Sequence, residues 1–173
     1  MTIVEKAKMV AEKYHRFQEY GEGLPYFYHL EQVANEVGRI TAREDIICAA
    51  YLHDILEDTP LSYNDLVKMF NKDIADIVYN VTDELGKNRK ERHEKTYPKI
   101  KSTYESCLLK ICDRICNARH SLVTGSKMFK MYKAENEEFL SVVSYPVGYA
   151  IHLTDSERAC LNRAYKTLVK LFE

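Results

Sequence analysis

The chain of 173 residues has no tryptophan, only six glycines and only four prolines. Glycine and proline are the chief punctuators of turns and linkers. Their scarcity excludes a Pro/Ser/Gly-rich linker, a low-complexity segment and the turn-dense pattern of an all-β domain. No Asn-Gly or Asp-Gly pair separates alternating apolar runs. No apolar run approaches the ~20 residues that a spanning helix needs. The opening MTIVEKAKMVAEKYH is a charged amphipathic stretch with none of the layout of a signal peptide. A cytoplasmic protein without a membrane partner is therefore expected. Neither sign of charge dominates, the net charge being −1, so no whole-protein field draws the chain to nucleic acid. The cysteines, Cys48, Cys107, Cys112, Cys116 and Cys160, are odd in number and mostly embedded in apolar runs. They read as reduced core thiols, and Cys112 with Cys116 lacks the paired spacing of a zinc knuckle.

What is abundant is helical periodicity. Apolar residues make up 46% of the chain and charged residues 29%, enough for a sizeable core and too patterned for disorder. Val4, Ala7, Val10, Ala11 and Tyr14 form a first stripe, which Gly21, Gly23 and Pro25 interrupt. Further helices are predicted from Leu30 to Gly38, from a capped start at Thr41 through EDIICAAYLHDILED, from a Ser62/Asp65 capping box to Phe70, and from Asn71 to Thr82. Another begins near Asn88 and is limited by Pro98. Glu105–Leu122, Lys127–Val143 and Asp155–Phe172 complete the set, the last behind a Thr154/Glu157 box. The expectation is a single all-α domain over residues 1–173, a compact bundle of about eight or more helices.

One stretch concentrates chemistry. In YLHDILEDT, residues four apart share a helical face, so His53 aligns with Glu57 and Asp54 with Asp58. Crowded carboxylates on an otherwise apolar helix need a cation or protons to offset their burial. An imidazole beside a carboxylate suits zinc, manganese or iron better than calcium. A solvated helix end would explain the same residues, and two other segments weigh against that. His29 opens a helix after an aromatic loop. Asp113 sits among Leu108, Leu109, Ile111, Cys112, Ile115 and Cys116, with Asn117 on the same stripe. Arg114 is an alternative, purely structural partner for Asp113. Taken together, His29, His53, Asp54 and Asp113 make a mixed nitrogen and oxygen set with room for water and phosphate.

These motifs, in this order, resemble the hydrolase domain of the RelA/SpoT alarmone enzymes, and especially the small stand-alone metazoan SpoT homologues. The resemblance runs over roughly Ala7 to Leu122: His15 and Gln18, Pro25-Tyr26 ahead of His29, AAYLHDILEDT, Val81-Thr82-Asp83, then KICDRICNAR. A bacterial and phage branch with the phrases YG..PY.YHL and VTDE.G.NRKER...TYPKI is similar over Tyr20–Leu30 and Val81–Ile100. The resemblance implies an HD-type phosphohydrolase, with His29, His53, Asp54 and Asp113 holding one divalent metal, manganese ahead of iron or zinc. It implies that Glu57 and Asp58 orient or deprotonate the attacking water and that Asn117 contacts substrate or supports the site. Two positions depart from the pattern. Tyr20 stands where alarmone hydrolases carry an Arg that packs on guanine, and Leu30 replaces the usual proline after the ligand histidine.

The basic segment GKNRKERHEKTYPK holds Lys87, Arg89, Lys90 and Arg92. It reads either as a solvated helix face countered by Glu91 and Glu94 or as a clamp for substrate phosphates. Lys87, Arg89 and Arg92, with Tyr20 and Asn117, are the candidate substrate contacts, and Arg119 could assist. Tyr26, Tyr28 and Tyr97 read as packing. The expected partner is a small phosphorylated purine nucleotide, with a (p)ppGpp-type 3′-pyrophosphate ester as first candidate. Alternatives are a nucleotide phosphatase acting on an NADPH-like substrate and a non-catalytic nucleotide sensor.

Overall fold

Eleven helical segments are present in the computed structural model, which describes residues 1–21, 23–144 and 152–173. Helix α1 spans Ile3–Tyr14 behind a Thr2/Glu5 capping box. A two-residue hairpin, β1 Glu19–Tyr20 and β2 Leu24–Pro25, pairs antiparallel and leads into α2, Tyr26–Ile40. Then follow α3 Glu44–Leu52, α4 Ile55–Asp58, α5 Tyr63–Met69, α6 Lys72–Val81, α7 Arg89–Ile100, α8 Tyr104–Val123, α9 Met128–Ala134, α10 Asn136–Val143 and α11 Asp155–Phe172. The hairpin is the only sheet among the described residues. No helix among them is long and apolar enough to cross a membrane.

Helices α2, α3 and α8 carry the core. In α3, Ile46, Cys48, Ala49, Ala50, Tyr51 and Leu52 are all buried, so the helix is apolar around most of its circumference and must sit centrally. It packs against α1, α2 and α6, while α8 packs against α2, α6 and α11. Helix α8 buries thirteen side chains, among them Asp113 and Arg114. Cys48, Cys107 and Cys112 lie in this core, and all five cysteines are free thiols.

Several expected boundaries shift, each for a local reason. Helix α2 starts four residues before Leu30. Pro25 precedes the first helical residue, and its preset backbone launches the helix at Tyr26, so His29 lies within the first turn. The start of α3 is Glu44 and not a Thr41 cap. Arg43 occupies the N-cap without a side-chain bond, and Glu44 and Asp45 face the helix dipole. The central helix does not run through YLHDILED. It breaks at His53–Asp54, where the His53 Nδ1 donates to the Ala50 carbonyl at 2.8 Å. That carbonyl is the acceptor a continuous helix would offer to the amide of residue 54. Pro98 lies inside α7, two residues before its end. The predicted 127–143 helix is split at Glu135 into α9 and α10. Both remaining capping boxes, Ser62/Asp65 and Thr154/Glu157, form as expected.

Candidate metal and catalytic site

Three helices deliver four side chains to one point. His29 comes from the first turn of α2, His53 and Asp54 from the α3–α4 break, and Asp113 from the middle of α8. His29 Nε2 lies 3.3 Å from both His53 Nε2 and Asp113 Oδ1, and 3.9 Å from Asp54 Oδ2. His53 Nε2 is 3.1 Å from Asp54 Oδ2 and 3.7 Å from Asp113 Oδ1. The His29, His53 and Asp113 donor atoms all fall within 4.8 Å of one another, and all three residues are buried. The break after Leu52 is what makes this possible: it turns both His53 and Asp54 toward the same point, where a straight helix would fan them about 100° apart.

The chemistry of the donor set fits a divalent cation. Because the His53 Nδ1–H donates a hydrogen bond to the Ala50 carbonyl, Nε2 is the nitrogen left to ligate. Burial alone would lower the pKa of His53, but the Asp54 and Asp113 charges outweigh it and push it up to about 9. Against the opposing effect of burial, the two imidazoles hold Asp54, and the Lys110 charge followed by the same imidazoles holds Asp113, well below the usual carboxylate range. Such a field attracts cations strongly. Two imidazole nitrogens and carboxylate oxygens suit a transition metal, and this cluster could hold one divalent ion.

Hydrogen bonds hold the two carboxylates, and an aromatic ring packs on His29. The Tyr26 hydroxyl donates to Asp54 Oδ2 at 2.6 Å. Asn117 Nδ2 donates to Asp113 Oδ1 at 2.6 Å, and the Tyr20 hydroxyl donates to Asn117 Oδ1 at 2.7 Å. The Tyr20 ring stacks on His29 at a centroid distance of 4.7 Å and packs against His120 at 4.4 Å. Gly21 has a φ of +64°, a conformation that favours glycine, and a Cβ there would press on His120 Nε2 at 3.0 Å. Tyr26 is thus more than the packing residue the sequence suggests, and its place three residues before His29 on α2 is the signal of that role. Substitution of Tyr26 by Phe removes only the hydroxyl. It is expected to weaken divalent-metal binding by the ~10–100-fold typical of outer ligand partners, as read by calorimetric titration with manganese. Unchanged affinity would show that Asp54 needs no such support.

Glu57 and Asp58 close α4, three and four residues after Asp54, and both are exposed. The Asp83 amide donates to Glu57 Oε1 at 2.7 Å. The protein around Glu57, and then the Asp54 charge, push its pKa up to about 7. Asp58 Oδ2 accepts from Gln18 Nε2 at 2.8 Å, and Gln18 Oε1 in turn accepts from His15 Nδ1 at 2.7 Å. His15 and Gln18 thus act through Asp58, a link their distance in sequence conceals.

Other expected contacts lie elsewhere. Arg114 is not the partner of Asp113. It turns toward Glu135, at 3.4 Å, and its guanidinium lies over the Phe139 ring. The cation beside Asp113 is Lys110 instead, at 3.4 Å. Arg89 forms a two-pronged pair with Glu135, at 2.6 and 2.9 Å, and Arg119 pairs with the buried Glu36 at 2.6 Å. Lys87 and Lys90 are exposed and Arg92 is half-buried. Beside the cluster opens a cavity of about 690 Å³ lined by Tyr20, Asn117, His120, Ser121 and Tyr132 among others.

Known proteins resemble the chain over most of its length. A Danio rerio protein named guanosine-3′,5′-bis(diphosphate) 3′-pyrophosphohydrolase MESH1 is 35% identical over 124 residues, which cover 68% of this chain and 67% of that protein. The Escherichia coli K12 protein named bifunctional (p)ppGpp synthase/hydrolase SpoT is 31% identical over 123 residues, 67% of this chain and 18% of that protein. The chain spans about a fifth of the length of such bacterial relatives. A solved structure, described as a metazoan ortholog of SpoT that hydrolyses ppGpp, shares the fold with a TM-score of 0.75 at 24% identity. The match covers 99% of this chain and 94% of that one. Residues 7–137 match the HD domain, and the chain belongs to the HD-domain family.

Proposed function

We propose that residues 1–173 form one metal-dependent phosphohydrolase domain that releases the 3′-pyrophosphate from a guanosine bis(diphosphate)-type purine nucleotide. The observation that carries this reading is the meeting of His29, His53, Asp54 and Asp113 with Glu57 and Asp58 beside them. A non-catalytic sensor would need no such pair of oriented carboxylates beside a ligand cluster. Manganese is the proposed ion. When bound, a divalent ion there would polarise a phosphoryl oxygen and make water acidic near neutral pH.

The chain's own groups do the rest. His29, His53, Asp54 and Asp113 would hold the ion, with Tyr26 and Asn117 fixing the two carboxylates. Glu57, held by the Asp83 amide, accepts the proton of the attacking water. Asp58, held by Gln18, orients that water. The water oxygen bonds to phosphorus as the phosphorus–oxygen bond to the ribose 3′ position breaks. The ribose 3′-oxygen is the leaving group and takes a proton, in balance the one Glu57 accepted, to become the 3′-hydroxyl, while pyrophosphate carrying the water oxygen is released.

The cavity of about 690 Å³ beside Asn117 is the proposed place of the nucleoside. Both ends of the Asn117 amide are already engaged, one by Tyr20 and one by Asp113, so it is poorly placed to read a base edge. Tyr20 presents a neutral ring where an Arg would offer donors. Lys87 and Arg92 remain proposed phosphate contacts, whereas Arg89 could reach a phosphate only by leaving Glu135. Selectivity therefore rests on phosphate pattern more than on base. With manganese, guanine and adenine forms of a 3′-pyrophosphorylated nucleotide are expected to turn over within about tenfold, the equivalent of one modest hydrogen bond. Arg92→Ala should raise KM without emptying the metal site, more so at low salt. Steady-state kinetics over a nucleotide panel, with products separated by ion exchange, make the test. No release of pyrophosphate from any 3′-pyrophosphorylated purine nucleotide would end the reading. A strong guanine preference would end the argument from Tyr20 and Asn117.

A further inference from the structure

Lys110 sits one turn before Asp113 on α8, its side chain 18% exposed. Its Nζ lies 3.4 Å from Asp113 Oδ2 and donates at 3.3 Å to the carbonyl of Val81, the last residue of α6. The two Asp113 oxygens therefore have different surroundings. Oδ1 faces His29 and His53 and accepts from Asn117, while Oδ2 faces Lys110. We propose that Lys110 is a positioning residue that holds Asp113 as a one-oxygen metal ligand and couples it to the segment that orients Glu57.

A carboxylate left free can rotate and offer both oxygens to one cation. An ammonium on one oxygen and an amide on the other remove that freedom, so Oδ1 alone is presented to the imidazoles. The second contact extends the effect. Val81 stands two residues before Asp83, whose amide holds Glu57 Oε1. A single side chain thus links the ligand on α8 to the turn that fixes the proposed base. Charge points the same way. The carboxylates of Asp113, Asp83, Glu57 and Asp54 all lie within electrostatic reach of the Lys110 ammonium. Its positive charge offsets part of a carboxylate-rich site that must admit an anionic substrate.

Only the kinetic part of the test rests on the hydrolase reading. Manganese alone is titrated calorimetrically into the full chain, and the thermal midpoint of the metal-free protein is recorded for each variant. Lys110→Met is expected to bind manganese ~10–100-fold more weakly, the range for partners that orient a ligand, with no matching fall in the metal-free midpoint. Lys110→Gln keeps a donor for the Val81 carbonyl but no charge for Asp113, and it carries the comparison if the Met variant does not fold. Lys110→Arg should recover much of the affinity, and kcat should follow metal affinity across the series. Unchanged or tighter manganese binding in the Met or Gln variant overturns the proposal. A series in which manganese affinity depends on Lys110 while no nucleotide is cleaved by wild type would uphold the positioning role and reject the hydrolase reading.

Discussion

His53→Ala is expected to purify folded, to take up no manganese, iron or zinc, and to show no hydrolysis above background. His53 supplies the Nε2 nearest to Asp54 and lies in contact range of both His29 and Asp113, so its loss opens the centre of the cluster. Even partners one step removed from a metal cost about 10–100-fold in affinity or activity, and a ligand itself costs more. The substitution also leaves the Ala50 carbonyl without its imidazole donor. An unpaired buried acceptor costs about 1–3 kcal/mol, a loss that circular dichroism and a thermal melt would register without global unfolding. Elemental analysis beside the activity assay separates the two effects. Full metal occupancy in folded His53→Ala protein would remove His53 from the site.

Glu57→Gln is expected to show the opposite split: metal retained and turnover lowered by about 10²–10⁴-fold, the contribution usual for a general acid–base group. Glutamine keeps the shape and still offers an oxygen to the Asp83 amide, which Glu57 Oε1 accepts at 2.7 Å. What it lacks is a lone pair basic enough to take a proton. The fall should appear in kcat, with KM for the nucleotide little changed, since proton transfer belongs to the transition state. Loss of metal in step with turnover would make Glu57 a ligand and transfer the base role to Asp58.

The helices were largely legible because their signals are local. Ser62/Asp65 and Thr154/Glu157 form the caps their spacing implies, and Asp155–Phe172 has the bounds its periodicity predicts. Errors fell where a side chain competes with the backbone or a neighbour redirects it. The break at His53 is the clearest case. Periodicity treats a histidine as one more polar residue and cannot see its ring taking a helical carbonyl. Arg114 is another. Its position beside Asp113 suggested a pair, but adjacent helical residues point about 100° apart, and the two side chains part company toward Glu135 and His29. Lys110, three residues from Asp113, shares its face, so the true partner was available from the same helical arithmetic.

Composition, the absence of turn signals and the helical repeat determined an α-helical domain, and the HD dipeptide with its flanking acids determined the kind of chemistry to look for. These are properties of chain segments, and short-range sterics and burial suffice to set them. Only the tertiary structure decided which polar groups meet. Tyr26 reaches Asp54, His15 acts through Gln18 on Asp58, Tyr20 anchors Asn117, and Arg89 is drawn to Glu135. Those pairings join residues 3 to 97 positions apart in the chain. A hydrogen bond forms only within about 3 Å and a narrow angle, and the packing of α2, α3 and α8 is what brings those atoms within that range.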